Sequence, residues 1–264
     1  MSPLSYEVTG DEKAQPVLLL HGFMGSKEDW REVSETLLDY GFRCVAVDLP
    51  GHGGSVGLPY PGSYTMQGTA EALLALLDEL DIRRAAVVGY SMGGRLALYF
   101  ALRYPGRCSG LFVESSSPGI EDEAERAARR RADEERAKLL EAGELREFIE
   151  EWYRQPLFAS LARREDLLRG TVERRLENDP RELVRSLRAM GTGSQPSLWG
   201  ELERLEVPAL AVAGELDEKY ARITRRMDEV SGVRSAVIPG AGHNVHLEAP
   251  AEYTRLLGGF LKLL

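Results

Sequence analysis

Seven short apolar runs divide the chain: Leu4–Val8, Val17–Leu20, Arg43–Val47, Ala85–Gly89, Gly110–Glu114, Ala209–Ala213 and Ser235–Ile238. Most are unbroken rather than alternating in polarity, the pattern of strands covered on both faces by helices. Helical stretches lie between them. Met66–Leu80 carries an apolar stripe through Leu73, Leu76, Leu77 and Leu80, Met92–Arg103 follows the fourth run directly, and Ala249–Leu263 closes the chain. Strand–helix alternation of this kind predicts an α/β fold with a mostly parallel, doubly wound sheet of about seven strands. A length of 264 residues suits one such domain.

The alternation stops between Ser117 and Glu206. Of the residues from Glu121 to Glu151, nineteen are charged, twelve acidic and seven basic, yet Trp152, Tyr153, Phe158, Leu161 and Trp199 lie in the same insert. Exposed charge combined with large aromatics predicts a helical lid rather than a disordered linker. The expected division is a core of 1–116 and 207–264 with a lid of 117–206 over the carboxyl ends of the strands, where open α/β sheets bind ligands.

Composition narrows the function. With 33 Lys and Arg against 42 Asp and Glu, the formal charge is −9, which argues against nucleic acids and anionic membranes as partners. Only Cys44 and Cys108 are present, too few for a disulfide scaffold or a four-cysteine zinc site. The first ten residues carry no signal-peptide pattern, so a cytoplasmic location is expected. No His/Cys/Asp cluster has metal-ligand spacing and no glycine-rich loop has a nucleotide-binding pattern, so no metal and no cofactor are expected. A monomer is expected, with weak self-association as the alternative.

The chemistry concentrates at strand ends. Val87-Val88-Gly89-Tyr90-Ser91-Met92-Gly93-Gly94 runs from an apolar strand through G-x-S-x-G into a helix, the context of a nucleophile elbow. Leu20-His21-Gly22-Phe23-Met24-Gly25 ends another strand in a small-residue turn. In such elbow folds that turn and the residue after the serine each give one backbone N–H to an oxyanion hole, here Phe23 and Met92. A serine hydroxyl needs a base. Chain order selects His243, after the last strand, over His21, His52 and His246. It also selects Asp217, after the sixth strand, over Glu215 and Glu114 as the acid that holds the imidazole. The segment Asp48–Ser55 reads as a turn-rich neighbour of the site.

With these residues in place the whole chain resembles the α/β-hydrolase fold, and within it the 2-succinyl-6-hydroxy-2,4-cyclohexadiene-1-carboxylate synthases (MenH) of menaquinone biosynthesis. The segments that carry the resemblance are Leu20–Ser26, Gly89–Arg95, Glu114–Gly119, the Arg-rich stretch Arg126–Arg136, Trp152–Phe158, Gly191–Trp199, Gly214–Lys219 and Gly240–His246. The elbow and histidine segments are common to many hydrolases, whereas the lid segments are particular to this family.

The resemblance implies a lyase. Ser91, activated by His243 and Asp217, would be a base that removes a ring proton, and pyruvate would leave from an enolpyruvyl ether. The substrate is a small tricarboxylate, and the family pattern implies Arg95, Arg129 and Arg175 as its anion binders, with Tyr90, Trp152, Tyr153 and Phe158 walling the pocket. The runner-up reading is a serine hydrolase, an esterase or a carbon–carbon bond hydrolase, on the same triad. A non-catalytic receptor on this fold is the third.

Overall fold

The computed structural model describes residues 3–264. It forms a seven-stranded sheet from β1 (Tyr6–Thr9), β2 (Gln15–Leu20), β3 (Phe42–Val47), β4 (Ala85–Tyr90), β5 (Cys108–Glu114), β6 (Ala209–Gly214) and β7 (Arg234–Ile238), in the order β1-β3-β2-β4-β5-β6-β7. Every neighbouring pair is parallel except β1, which pairs antiparallel with β3. All seven expected strands are present. The first is displaced toward its C-terminus, and Leu4 instead inserts into the core.

The unbroken apolar runs have a direct cause. Leu18, Leu20, Val45, Val47, Val87, Leu111 and Val113 face one helical layer, while Val17, Leu19, Cys44, Ala46, Ala86, Val88 and Phe112 face the other. The first layer includes α2 (Met66–Glu79) and α3 (Met92–Arg103), and the second includes α1 (Arg31–Asp39) and α10 (Pro250–Leu261). With period-two side chains and both faces covered, neither face of these strands can be polar.

Four helices lie between β5 and β6: α4 (Glu123–Ala142), α5 (Leu145–Tyr153), α6 (Glu165–Arg175) and α7 (Pro180–Met190). Asp122 caps α4 by accepting the Glu125 N–H at 2.8 Å, with Glu123 and Glu125 in the first turn where the helix dipole favours acids. These helices share their own apolar cluster, including Ala137, Leu140, Ile149, Tyr153, Phe158, Leu183 and Leu187. Two further helices, α8 (Glu218–Ser231) and the single turn α9 (Val245–Glu248), follow β6 and β7.

β2 lies between β3 and β4, so the chain leaves β2 to one side and returns on the other. The crevice of an open α/β sheet forms at such a reversal. Here it is flanked by the turn after β2 and the turn after β4, which carry Phe23 and Ser91.

Phe112 sits at the sheet centre, 1% exposed, with its ring 5.5 Å from that of Tyr253 and 5.9 Å from that of Phe260. Phe112→Ala should lower unfolding stability in urea by about 3–5 kcal/mol, and a loss below about 1 kcal/mol would contradict this packing.

Candidate active site

Ser91 stands at the junction of β4 and α3 with φ 50° and ψ −106°, backbone angles that cost a non-glycine residue about 1–3 kcal/mol. Met24 (φ 62°), after β2, and Ser115 (φ 48°), after β5, are held in similar conformations at neighbouring strand ends. The elbow is possible because Gly93 lies against Leu20 and Gly89 against Gly93. A Cβ on either glycine would run into the facing backbone carbonyl. The Ser91 N–H donates to the Glu114 carbonyl at 2.9 Å, and the Arg95 N–H to the Ser91 carbonyl at 3.0 Å, so sheet and helix both fix the turn.

His243 reaches this serine from the turn after β7. Its Nε2 is 3.1 Å from Ser91 Oγ, and its Nδ1 is 2.6 Å from Asp217 Oδ2. Asp217 caps α8 through the Tyr220 N–H at 3.2 Å. A carboxylate accepts only, so His243 Nδ1 carries the proton and Nε2 offers its lone pair to the serine hydroxyl. His243 and Asp217 are buried.

The rival acids are engaged elsewhere. Glu114 accepts from His246, at 2.8 Å to the ring Nδ1 and 3.1 Å to the backbone N–H, forming a second buried His–acid pair. Glu215 is exposed and accepts the Gly240 N–H at 3.2 Å.

Phe23 and Met92 line the same cavity as Ser91, and their backbone N–H groups have no protein acceptor among the described residues. His21 shapes the first of these turns. Its Nε2 accepts the Leu49 N–H at 2.9 Å, which leaves Nδ1–H to donate to the Gly22 carbonyl at 2.7 Å.

The cavity measures about 490 Å³, within the usual range for a small-molecule site. Its walls carry four cations, Arg95, Arg129, Lys219 and Arg222, against two acids, Asp217 and Glu218. Arg95 is buried, its Nη1 donating to the Met190 carbonyl at 2.8 Å and to Gln195 Oε1 at 3.4 Å. Burial lowers its pKa to about 10, still far above neutrality. Arg129 Nε donates to Asp133 at 2.7 Å. Burial, and then the Arg129 charge, lower the pKa of Lys219. A site this rich in crowded cations is suited to an anion with several carboxylates.

The expected aromatic wall is only partly present. Trp152 lines the cavity, its ring 5.1 Å from that of Phe23. Phe158 is buried in the lid cluster and does not line the cavity, although its ring meets the His243 ring edge-on at 5.5 Å. Tyr90 departs from the expectation. Two residues beyond Val88 on β4, it points to the α1/α10 face, where its hydroxyl donates to Asn244 Oδ1 and its ring lies 5.4 Å from that of His243. Tyr153 is buried among the lid helices, where its hydroxyl accepts from Arg175.

Arg175 also departs from its expected place. It does not line the cavity but pairs with Asp29 at 2.8 Å, both side chains 3% exposed. Lys219, Tyr220 and Arg222, which do line it, were not singled out in the sequence. Their signal is a position within the first five residues of the helix that Asp217 caps, and the Tyr220 ring lies 4.8 Å from that of His243.

A family model described as the alpha/beta hydrolase fold matches residues 15–250. A Bacillus subtilis (strain 168) protein, provisionally named 2-succinyl-6-hydroxy-2,4-cyclohexadiene-1-carboxylate synthase, is 37% identical over 96% of this chain and 92% of its own length. The synthase of that name from Enterobacter sp. (strain 638) is 35% identical over 94% of this chain and 92% of its own. Among solved structures, MenH from S. aureus superposes with a TM-score of 0.89 at 32% identity, covering 97% of each chain. The protein is therefore of the α/β-hydrolase class, with a serine–histidine–aspartate hydrogen-bond chain at the carboxyl end of its sheet. Within that class it belongs to the 2-succinyl-6-hydroxy-2,4-cyclohexadiene-1-carboxylate synthase family.

The two buried histidines beside the Phe23 turn make stability depend on pH. Burial, opposed by the Gly22 carbonyl and nearby acids, lowers the pKa of His21. Burial, and then the neighbouring His21, lower that of His52 to about 3. Both are neutral in the folded protein, and both titrate near 6.5 once unfolded. Their contribution is intact above pH 6.5 and is lost as pH falls toward the folded values, and for His52 the loss approaches about 1.4 kcal/mol per pH unit. Urea unfolding between pH 6.5 and 4.5 should show this slope, and His52→Gln should reduce it. An unchanged slope in the variant would contradict burial of a neutral His52.

Proposed function

We propose that this protein is a carbon–oxygen lyase. It converts 2-succinyl-5-enolpyruvyl-6-hydroxy-3-cyclohexene-1-carboxylate to 2-succinyl-6-hydroxy-2,4-cyclohexadiene-1-carboxylate and pyruvate. The observation that carries the reading is a serine–histidine base facing a cavity whose cations outnumber its acids, in a net acidic chain. An ester hydrolase acting on neutral substrates has no use for such walls.

Ser91, His243 and Asp217 act as a base. His243 Nε2 takes the Ser91 hydroxyl proton, and the alkoxide takes the ring proton next to the succinyl ketone. Asp217 holds the imidazole in the required tautomer and stabilises the imidazolium. The electron pair released from the C–H bond makes an enolate, whose oxygen is met by the Phe23 and Met92 N–H groups. One such donor is worth about 2.7–4 kcal/mol. Collapse of the enolate shifts the double bond and breaks the C–O bond to the enolpyruvyl group. His243 returns its proton to the departing pyruvate enol, and Ser91 keeps the proton from the ring, so the enzyme is restored. No bond from Ser91 to carbon is required.

Arg95 and Arg129 bind substrate carboxylates. Arg95 is the stronger candidate: among the described residues it has two neutral acceptors, both on Nη1, leaving Nε and Nη2 to bind an anion. Residues 117–206 serve as the lid that excludes water from the enolate. The reading places the protein in the cytoplasm, which the two free, buried cysteines support. The same reading takes the protein as a monomer.

Mixing the protein with the enolpyruvyl cyclohexene should release pyruvate and raise diene absorbance together. Ser91→Ala and His243→Ala should each lower kcat by about 10³-fold or more. Arg95→Ala should raise KM by about tenfold or more, the cost of one charge-assisted contact. Rapid cleavage of a nitrophenyl ester with no pyruvate release would favour the hydrolase reading.

A further inference from the structure

The turn that carries Phe23 is built by the lid as much as by the sheet. Met24, held at φ 62°, is fully buried and belongs to the apolar cluster of the lid helices, not to either face of the sheet. Its carbonyl accepts the Asn178 side-chain amide at 2.9 Å, just beyond the end of α6. Three residues before Asn178, the last residue of α6 is Arg175, whose Nη1 donates to Asp29 Oδ1 at 2.8 Å. Asp29 closes the same turn, because its other oxygen accepts the Ser26 N–H at 3.4 Å and its own N–H donates to the Ser26 carbonyl at 3.1 Å. Arg175 Nε donates to the Tyr153 hydroxyl at 3.2 Å, which ties α5 into the same assembly.

We propose that the Arg175–Asp29 pair is a latch seating the lid on the oxyanion turn. On this account Arg175 is a positioning residue for the Phe23 N–H, not a ligand for substrate. The proposal rests on the reading that Phe23 donates to the developing oxyanion.

Geometry favours the latch over direct binding. Arg175 lies outside the cavity lining, and a substrate carboxylate would have to displace a carboxylate already in place. The pair is strongly coupled. Burial opposes both charges, yet the Arg175 charge holds the Asp29 carboxyl below its usual range, and Asp29 holds Arg175 firmly protonated. A backbone N–H must be placed about 2.7–3.1 Å from the oxyanion to act in the transition state, so a shift of a few tenths of an ångström matters. Met24 sits in an unfavourable conformation, so without lid contacts the turn has reason to relax.

The test uses Arg175→Met, Asp29→Asn, the double variant and Asn178→Ala. Two readouts apply: kcat and KM for pyruvate release, and the rate at which a fluorophosphonate labels Ser91. Labelling also draws on the oxyanion donors but needs no lyase substrate. Each single variant at Arg175 or Asp29 should lower kcat and labelling by about 10- to 100-fold with KM within about twofold, the signature of an interaction made in the transition state. The double variant should be no worse than the weaker single, because the two residues act as one unit. Asn178→Ala, which removes the side-chain hydrogen bonds to the Met24 and Arg175 carbonyls, should lower both rates by about threefold to tenfold.

If Arg175→Met raises KM while kcat and labelling stay at wild-type values, and Asp29→Asn behaves as wild type, the latch is overturned and Arg175 is a substrate ligand. If Arg175→Met fails to fold, wild-type rates in both Asp29→Asn and Asn178→Ala overturn it. A wild-type protein that releases no pyruvate refutes the lyase reading, while slower labelling in the variants would still support the latch.

Discussion

Everything at the site depends on a backbone turn that the chain does not adopt readily. Ser91 is held between β4 and α3 at a positive φ, and it stays there because the Glu114 carbonyl takes its N–H and close-packed glycines let the start of α3 approach the end of β2. The hydroxyl is thereby lifted from the sheet toward His243, and the Met92 N–H at the helix start has no protein acceptor among the described residues. The strain at Ser91, Met24 and Ser115 gathers at the ends of neighbouring strands, while the sheet beneath is apolar and covered on both faces. A rigid sheet of this kind can sustain about 1–3 kcal/mol of local strain per residue.

Charge is organised against the average. The chain carries a formal −9, yet the cavity walls present four cations and two acids. The surplus of Arg over Lys has a structural use in several places. Arg130 donates to the Gly193 carbonyl, Arg95 to the Met190 carbonyl and Arg175 to Asp29, all fixed hydrogen bonds between lid and core or within the lid. A guanidinium can make such contacts and keep further donors free, which an ammonium does less well. Other arginines form exposed pairs, such as Arg154 with Glu151, worth little individually.

The sheet was legible in the sequence because its signal is local: apolar runs of strand length, bounded by turns, repeated with helices between. Ser91 was legible from the G-x-S-x-G motif between an apolar run and a helix, and Asp217 and His243 from chain order, which assigns them to the ends of the last two strands. The direction of Tyr90 was also available, since it follows Val88 by two residues and shares its face, but the family pattern suggested a pocket wall instead. Arg175 was not readable. Its partner Asp29 is 146 positions away in a short turn with no periodic signal, and only the folded lid brings the two together. Lys219, Tyr220 and Arg222 escaped notice because charged and aromatic residues at the start of a helix usually belong to its solvated face.

In the proposed mechanism Ser91 acts on a proton and never bonds to carbon. Rapid-quench mass spectrometry of the intact protein during turnover of the enolpyruvyl cyclohexene tests it directly. The account predicts that pyruvate accumulates while the protein mass stays unchanged at every time point. A covalent adduct on Ser91 that forms and decays as fast as turnover would contradict it.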